Sequence, residues 1–128
     1  MKKFKIVIIP ILLFLVHGGF AQIPLVKLDL KNASVTTQND EIIASTGKVS
    51  GKWKWTGKGF VSSGFKNLQS EKEWVNQTSD HLADWDLRIF GDDAKLVSLK
   101  ADLSNDENFT SDHIRIVAEV EYSMPEKY

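Results

Sequence analysis

The sequence predicts an all-β protein: a single antiparallel β-sandwich domain following an N-terminal leader. Three observations carry this expectation. From Gln22 onward no stretch repeats its apolar residues at helical spacing. Short runs instead alternate apolar and polar side chains, as a half-buried strand does, because successive side chains point to opposite faces. Glycine-containing or polar turns separate these runs at close intervals, the punctuation expected of a sandwich.

The leader comes first. Lys2, Lys3 and Lys5 precede an apolar run from Ile6 to Val16 broken only by Pro10, and Gly19-Phe20-Ala21 puts small residues where a signal peptidase cuts. The run is about 11 residues long, against roughly 20 for a bilayer span. Residues 1–21 therefore read as a signal peptide cleaved after Ala21, and no cysteine is present there for lipid attachment. The expected location is periplasmic or extracellular, with the sandwich domain over 22–128 and no membrane span in the mature chain.

Charge narrows the partners. The chain holds 16 basic and 17 acidic residues for a formal charge of −1; the leader removes three lysines and no acid, which leaves 13 against 17 and a charge of −4. An acidic chain is a poor ligand for nucleic acid, whose binding depends on neutralising phosphates, and for an anionic membrane surface. At 128 less 21 residues, or 107, one small core is possible but marginal. There are no cysteines, so no disulfide supports it.

Leu25 to Leu30 alternates, with Val26, Leu28 and Leu30 on one face and Lys27, Asp29 and Lys31 on the other; Asn32 to Thr37 reads as a continuation. Asn39-Asp40 is a turn signal, and Glu41 to Ser45 is a strand around Ile42 and Ile43. Thr46-Gly47 turns the chain into the central hairpin, Lys48 to Asn67. There Trp53 and Trp55 share one face and Lys52 and Lys54 the other, Thr56-Gly57-Lys58-Gly59 forms the turn, and the return strand runs Phe60 to Phe65. Asn67 to Lys72 reads as a loop closing on Trp74. Asn76 to Ala83 is either a loop or one helical turn capped by Thr78 or Ser79. Trp85 to Phe90 alternates, and Gly91-Asp92-Asp93 turns. Ala94 to Leu103 and His113 to Tyr122 are the two longest strand candidates, joined by the polar run Ser104 to Asp112. A sandwich of this kind needs about seven strands, a number reached here only by generous counting. With the chain stopping soon after a strand, the expectation is a fragment of a larger protein.

No constellation names a reaction. Asp80, His81, Asp84 and Asp86 crowd acid and imidazole together, but no second histidine stands at ligand spacing, and the solvated-loop reading is preferred to general acid–base chemistry. Asp102, Ser104 and Asp106 have the alternate spacing of a calcium loop, yet Glu107 stands where glycine is required and His113 where the final acid belongs. Ser62-Ser63-Gly64 lacks the glycine two residues before either serine that a nucleophile elbow requires. No catalytic residue, metal ligand or cofactor is assigned. The four tryptophans, Trp53, Trp55, Trp74 and Trp85, allow two readings. Either they fill the core, which Lys52 and Lys54 alternating with Trp53 and Trp55 favour, or exposed indoles stack on sugar rings. On the second reading Trp53, Trp55 and Trp74 are the candidate carbohydrate-binding residues.

The run Val49-Ser50-Gly51-Lys52-Trp53-Lys54-Trp55, followed by Gly59-Phe60-Val61, Lys66-Asn67-Leu68 and Lys72-Glu73-Trp74, resembles the N-terminal β-sandwich of secreted Bacteroidota glycoside hydrolases, most nearly the alpha-galactosidase (melibiase) type. The resemblance covers Ile42 to Trp85. It implies a sugar-facing sandwich that packs on a catalytic (β/α)8 barrel and serves carbohydrate breakdown. This chain has no room for a barrel, so no catalytic residue carries over. The expected function is a non-catalytic accessory domain, or a fragment of one, with a barrel of the same parent protein as partner. The alternative is a free-standing carbohydrate-binding or envelope sandwich with a carbohydrate ligand.

Overall fold

The computed structural model describes residues 22–75, 82–85, 94–105 and 112–123. The leader, most of the Asn76–Ala83 and Trp85–Phe90 stretches, the Gly91–Asp93 turn and the centre of the Ser104–Asp112 run lie outside the described residues. Every element described is a strand: β1 (Lys27–Leu30), β2 (Ala33–Gln38), β3 (Glu41–Ser45), β4 (Val49–Trp55), β5 (Phe60–Asn67), β6 (Glu73–Val75), β7 (Ala94–Ser104) and β8 (His113–Tyr122). They form two antiparallel sheets, a six-stranded meander in the order β1 to β6 and a two-stranded hairpin of β7 and β8. The fold is all-β and sandwich-like. Among the described residues no helix is long and apolar enough to cross a membrane.

The turns explain the meander. Asn39 and Asp40 have φ of 51° and 61° between the paired residues Gln38 and Glu41. Two positive φ values in a two-residue loop make a type I′ turn, which Asn and Asp tolerate and which matches strand twist. Gly47 (φ 83°) and Gly57 (φ 85°) supply the same left-handed conformation in the β3–β4 and β4–β5 turns. The Thr56 hydroxyl accepts a hydrogen bond from the Lys58 amide at 3.2 Å. The Asn67 side chain accepts from the amides of Gln69 and Ser70 at 2.9 and 3.0 Å, an Asx turn ahead of β6.

One expectation is corrected here. Asn32 to Thr37 does not continue the first strand. Lys31 adopts a φ of 53°, and the chain folds back so that Leu30 pairs with Ala33 and Lys27 with Thr36. The first strand also begins later than its alternation suggests, because Pro24 to Val26 is held by a side chain. The buried Thr37 hydroxyl accepts from the Val26 amide at 2.7 Å and donates to the Pro24 carbonyl at 2.8 Å.

The core lies between the sheets. Ile23, Val35, Ile42, Trp55, Phe60 and Leu99 form its buried centre, and Leu28, Ala44, Trp53, Leu96, Ala101, Ile114, Ile116 and Val120 pack around them. Val35, 1% exposed, is the most enclosed. The β7–β8 hairpin packs mainly on β1 and β2. Its apolar phase slips between Leu96 and Leu99, and the ladder slips with it. Leu96 pairs with Val120 and Ser98 with Glu119, leaving Val97 as a bulge.

A polar clasp joins the layers at the end holding the β4–β5 turn. Tyr122 donates its hydroxyl to the Lys58 carbonyl at 2.6 Å and accepts from Trp85 Nε1 at 3.0 Å. Gly59 makes room for the clasp: a Cβ there would stand 2.5 Å from the Ala83 Cβ and 2.7 Å from Trp85 Cζ2.

Candidate functional site: a cleft between the two sheets

At the opposite end, where the β1–β2 and β3–β4 turns meet the start of β8, the sheets leave a cleft of about 520 Å³. Its walls are apolar. Val35, Ala44, Gly51, Trp53 and Phe65 come from the large sheet, and Ile114 and Ile116 from β8. Asn32, Thr46, Asp112 and His113 bring polar groups to the turn end. The two turns close on one another there, since a Cβ at Gly47 would lie 3.1 Å from both Asn32 Cβ and the Asn32 carbonyl oxygen. Thr46 Oγ1 accepts from the Val49 amide at 3.3 Å, which leaves its own proton to donate.

Local sequence places each aromatic. Gly51, Trp53 and Trp55 alternate along β4 onto the inner face, and Gly51 is buried because the indole of Trp53 covers it. A Cβ at Gly51 would meet Trp53 Cη2 at 2.6 Å, Cζ3 at 3.0 Å and Cζ2 at 3.3 Å. Phe65 lies directly across from Gly51 in the ladder, so it falls on the same face and extends the wall. Next to it the β5–β6 ladder is irregular: Phe65 pairs with Val75 and Lys66 with Glu73, which leaves Trp74 between them. The Trp74 ring lies 5.2 Å from that of Phe65 at an interplanar angle of 34°, with the Lys72 ammonium 5.9 Å from its centroid. Trp74 is 49% exposed and Phe65 41%, forming an open aromatic rim beside the cleft.

The three tryptophans named from the sequence therefore separate. Trp53 lines the cleft, and Trp74 reaches its edge through Phe65. Trp55 is 9% exposed, its ring 5.1 Å from Phe60; it is a packing residue and takes no part in the lining. Phe65 was not singled out by sequence reasoning. Its role follows from pairing with Gly51, and an inward glycine two residues before an inward tryptophan was the signal available.

The polar candidates have structural partners where they are described. The Asp84 carboxylate accepts from the Ser62 amide at 3.0 and 2.9 Å and from the Ser62 hydroxyl at 2.7 Å, while its own amide donates to the Phe60 carbonyl at 2.9 Å. It satisfies backbone groups of β5 at the sheet edge, a capping role rather than an acid–base one. The Ser63 hydroxyl donates to Glu41 Oε1 at 3.1 Å. Asp102 receives both arms of Arg115, at 3.1 and 3.0 Å, and the guanidinium holds its carboxyl below the usual carboxylate range. Ser104 is buried. Asp80, His81, Asp86 and Asp106 lie outside the described residues. Among the described residues no three acids or histidines gather as a metal site.

No protein-family model matches the chain, and comparison with curated proteins and with solved structures finds no similar protein. The likeness to the leading sandwich of glycoside hydrolases rests on the aromatic and turn pattern alone.

Proposed function

We propose that this protein is a non-catalytic β-sandwich module of an exported carbohydrate-active protein, and that it holds a sugar in the cleft. The observation that supports this most is the arrangement of Trp53 and Phe65 along one wall of a cleft of about 520 Å³, a size common among small-ligand sites. An indole offers a flat apolar surface to the C–H face of a sugar ring. Asn32 and Thr46 at the turn end supply the few orienting hydrogen bonds such a site needs. The lysine-led leader supports export, and the Ile42–Trp85 pattern supports a place beside a hydrolase barrel.

The test is a titration of the purified protein with a panel of glycans, followed by tryptophan emission and by calorimetry, alongside Trp53→Phe. Saturable binding that quenches emission in the native protein and weakens about tenfold or more in Trp53→Phe supports the proposal. Unchanged emission and no heat across the panel would sink it.

A further inference from the structure

The second layer of the fold sets two strands against six. β8 packs on both β1 and β2, whereas β7 packs mainly on β1, so β7 is the outer strand of its layer and its far edge points away from β3 to β6. Among the described residues no strand pairs with that edge. At 11 residues β7 is the longest strand described, and a row of unpaired backbone N–H and C=O groups is a template for a further strand. The Val97 bulge distorts only its first part; from Ser98 to Ser104 the ladder is regular. Along this part Lys100 and Asp102 are exposed on the outward face, while Leu99, Ala101 and Leu103 follow the inward phase. Leu99 is 5% exposed but Leu103 is 56%. β7 therefore runs past the cover that its own large sheet provides.

Independently of the glycan reading, we propose that β7 pairs antiparallel with β7 of a second copy about a two-fold axis at Ala101, joining the two hairpins into one four-stranded sheet. Such a pair keeps inward side chains opposite inward ones only if the axis passes through a residue, because a slip of one residue flips every side chain. Three registers of this kind centre on the middle of the regular part. An axis at Lys100 sets two ammonium groups against each other and one at Asp102 two carboxylates, and like charges directly opposite are unfavourable. With the axis at Ala101, Lys100 faces the second copy's Asp102 and Asp102 its Lys100, while Leu103 lies opposite Leu99 in both directions. Asp102 accepts both arms of Arg115 in its own chain; a carboxylate has further lone pairs for the incoming lysine. A lysine on an edge strand ordinarily deters pairing. Here an aspartate two residues on makes it self-complementary, a pattern that a strand of a different protein would not require.

The test is sedimentation equilibrium of the purified protein over about 1 μM to 1 mM. The native protein shows a reversible equilibrium that stops at the dimer. Lys100→Asp and Asp102→Lys each weaken it about tenfold or more, since either substitution turns both ion pairs into like-charge pairs. An equimolar mixture of these two variants recovers a dimer, because each supplies the charges the other lacks. Leu103→Asp, at an exposed position, weakens the dimer without lowering Tm. If Asp102→Lys does not fold, having lost the partner of Arg115, Lys100→Asp and Leu103→Asp decide the matter. A native protein that stays monomeric throughout would overturn the proposal. So would a dimer indifferent to Lys100→Asp and Leu103→Asp, association that continues past the dimer, or folded variants that remain monomeric when mixed.

Discussion

Replacing Gly51 by alanine tests whether the indole of Trp53 forms the cleft wall. The new methyl would stand 2.6 Å from Trp53 Cη2, so the ring must withdraw by roughly an ångström to regain normal contact. Overpacking of this kind costs about 1–3 kcal/mol. Here the ring is half-buried and borders open space, so the cost falls at the low end, about 1 kcal/mol. Against it, alanine loses less backbone entropy than glycine on folding, about 0.4–1 kcal/mol in its favour. The two effects partly cancel, leaving at most about 0.6 kcal/mol, and Tm should fall by no more than about 5 °C. Sugar affinity should suffer more than stability, because the displaced indole enters the space the ligand needs. Trp53→Phe removes the clashing ring atoms, so the double variant should recover most of the Tm lost in Gly51→Ala. The assay is a double-variant cycle of thermal unfolding with sugar titrations on each form. Strict additivity of the two substitutions, or a Gly51→Ala protein with native emission and native affinity, would refute the placement of the indole.

Other consequences can be checked separately. Tyr122→Phe removes both the bond to the Lys58 carbonyl and the one from Trp85 Nε1; urea unfolding should show a loss of about 1–3 kcal/mol, and a change below 0.3 would count against the clasp. Asp84→Ala strips the cap from the Ser62 amide and leaves part of the β5 edge unpaired, so sedimentation should reveal concentration-dependent association beyond a dimer, absent from the native protein. Asp102 should titrate by NMR below its ordinary 3.8 and return towards it in Arg115→Ala. Since the folded pKa is depressed, the pair's stabilisation is complete above the unfolded value and is lost as pH falls through the folded one.

Much of the fold was legible because alternation is a local property. The β4–β5 hairpin, with Trp53 and Trp55 inward and Lys52 and Lys54 outward, and the faces of β8 could be read directly. The β1–β2 turn could not: Lys31 adopts a left-handed conformation that no glycine or asparagine at that position announces. The Val97 bulge between Leu96 and Ser98 was not read from the sequence, where Ala94 to Leu103 reads as one strand. The cleft was the least legible feature. Phe65 joins Trp53 through cross-strand pairing with Gly51, and Ile114 and Ile116 arrive from a distant hairpin; neither relation has a local signature. Asp84 was conspicuous as an acid near a histidine, but its partner Ser62 lies on another strand.

The most direct test of the cleft is an NMR titration that follows the four indole N–H resonances, assigned by single Trp→Phe variants, as methyl glycosides are added. A sugar held against the wall of Trp53 and Phe65 shifts the Trp53 resonance in a saturable way, moves Trp74 at the rim less, and leaves Trp55 unmoved in the core. No saturable shift with any glycoside, or a response confined to Trp55 and Trp85, would contradict the account.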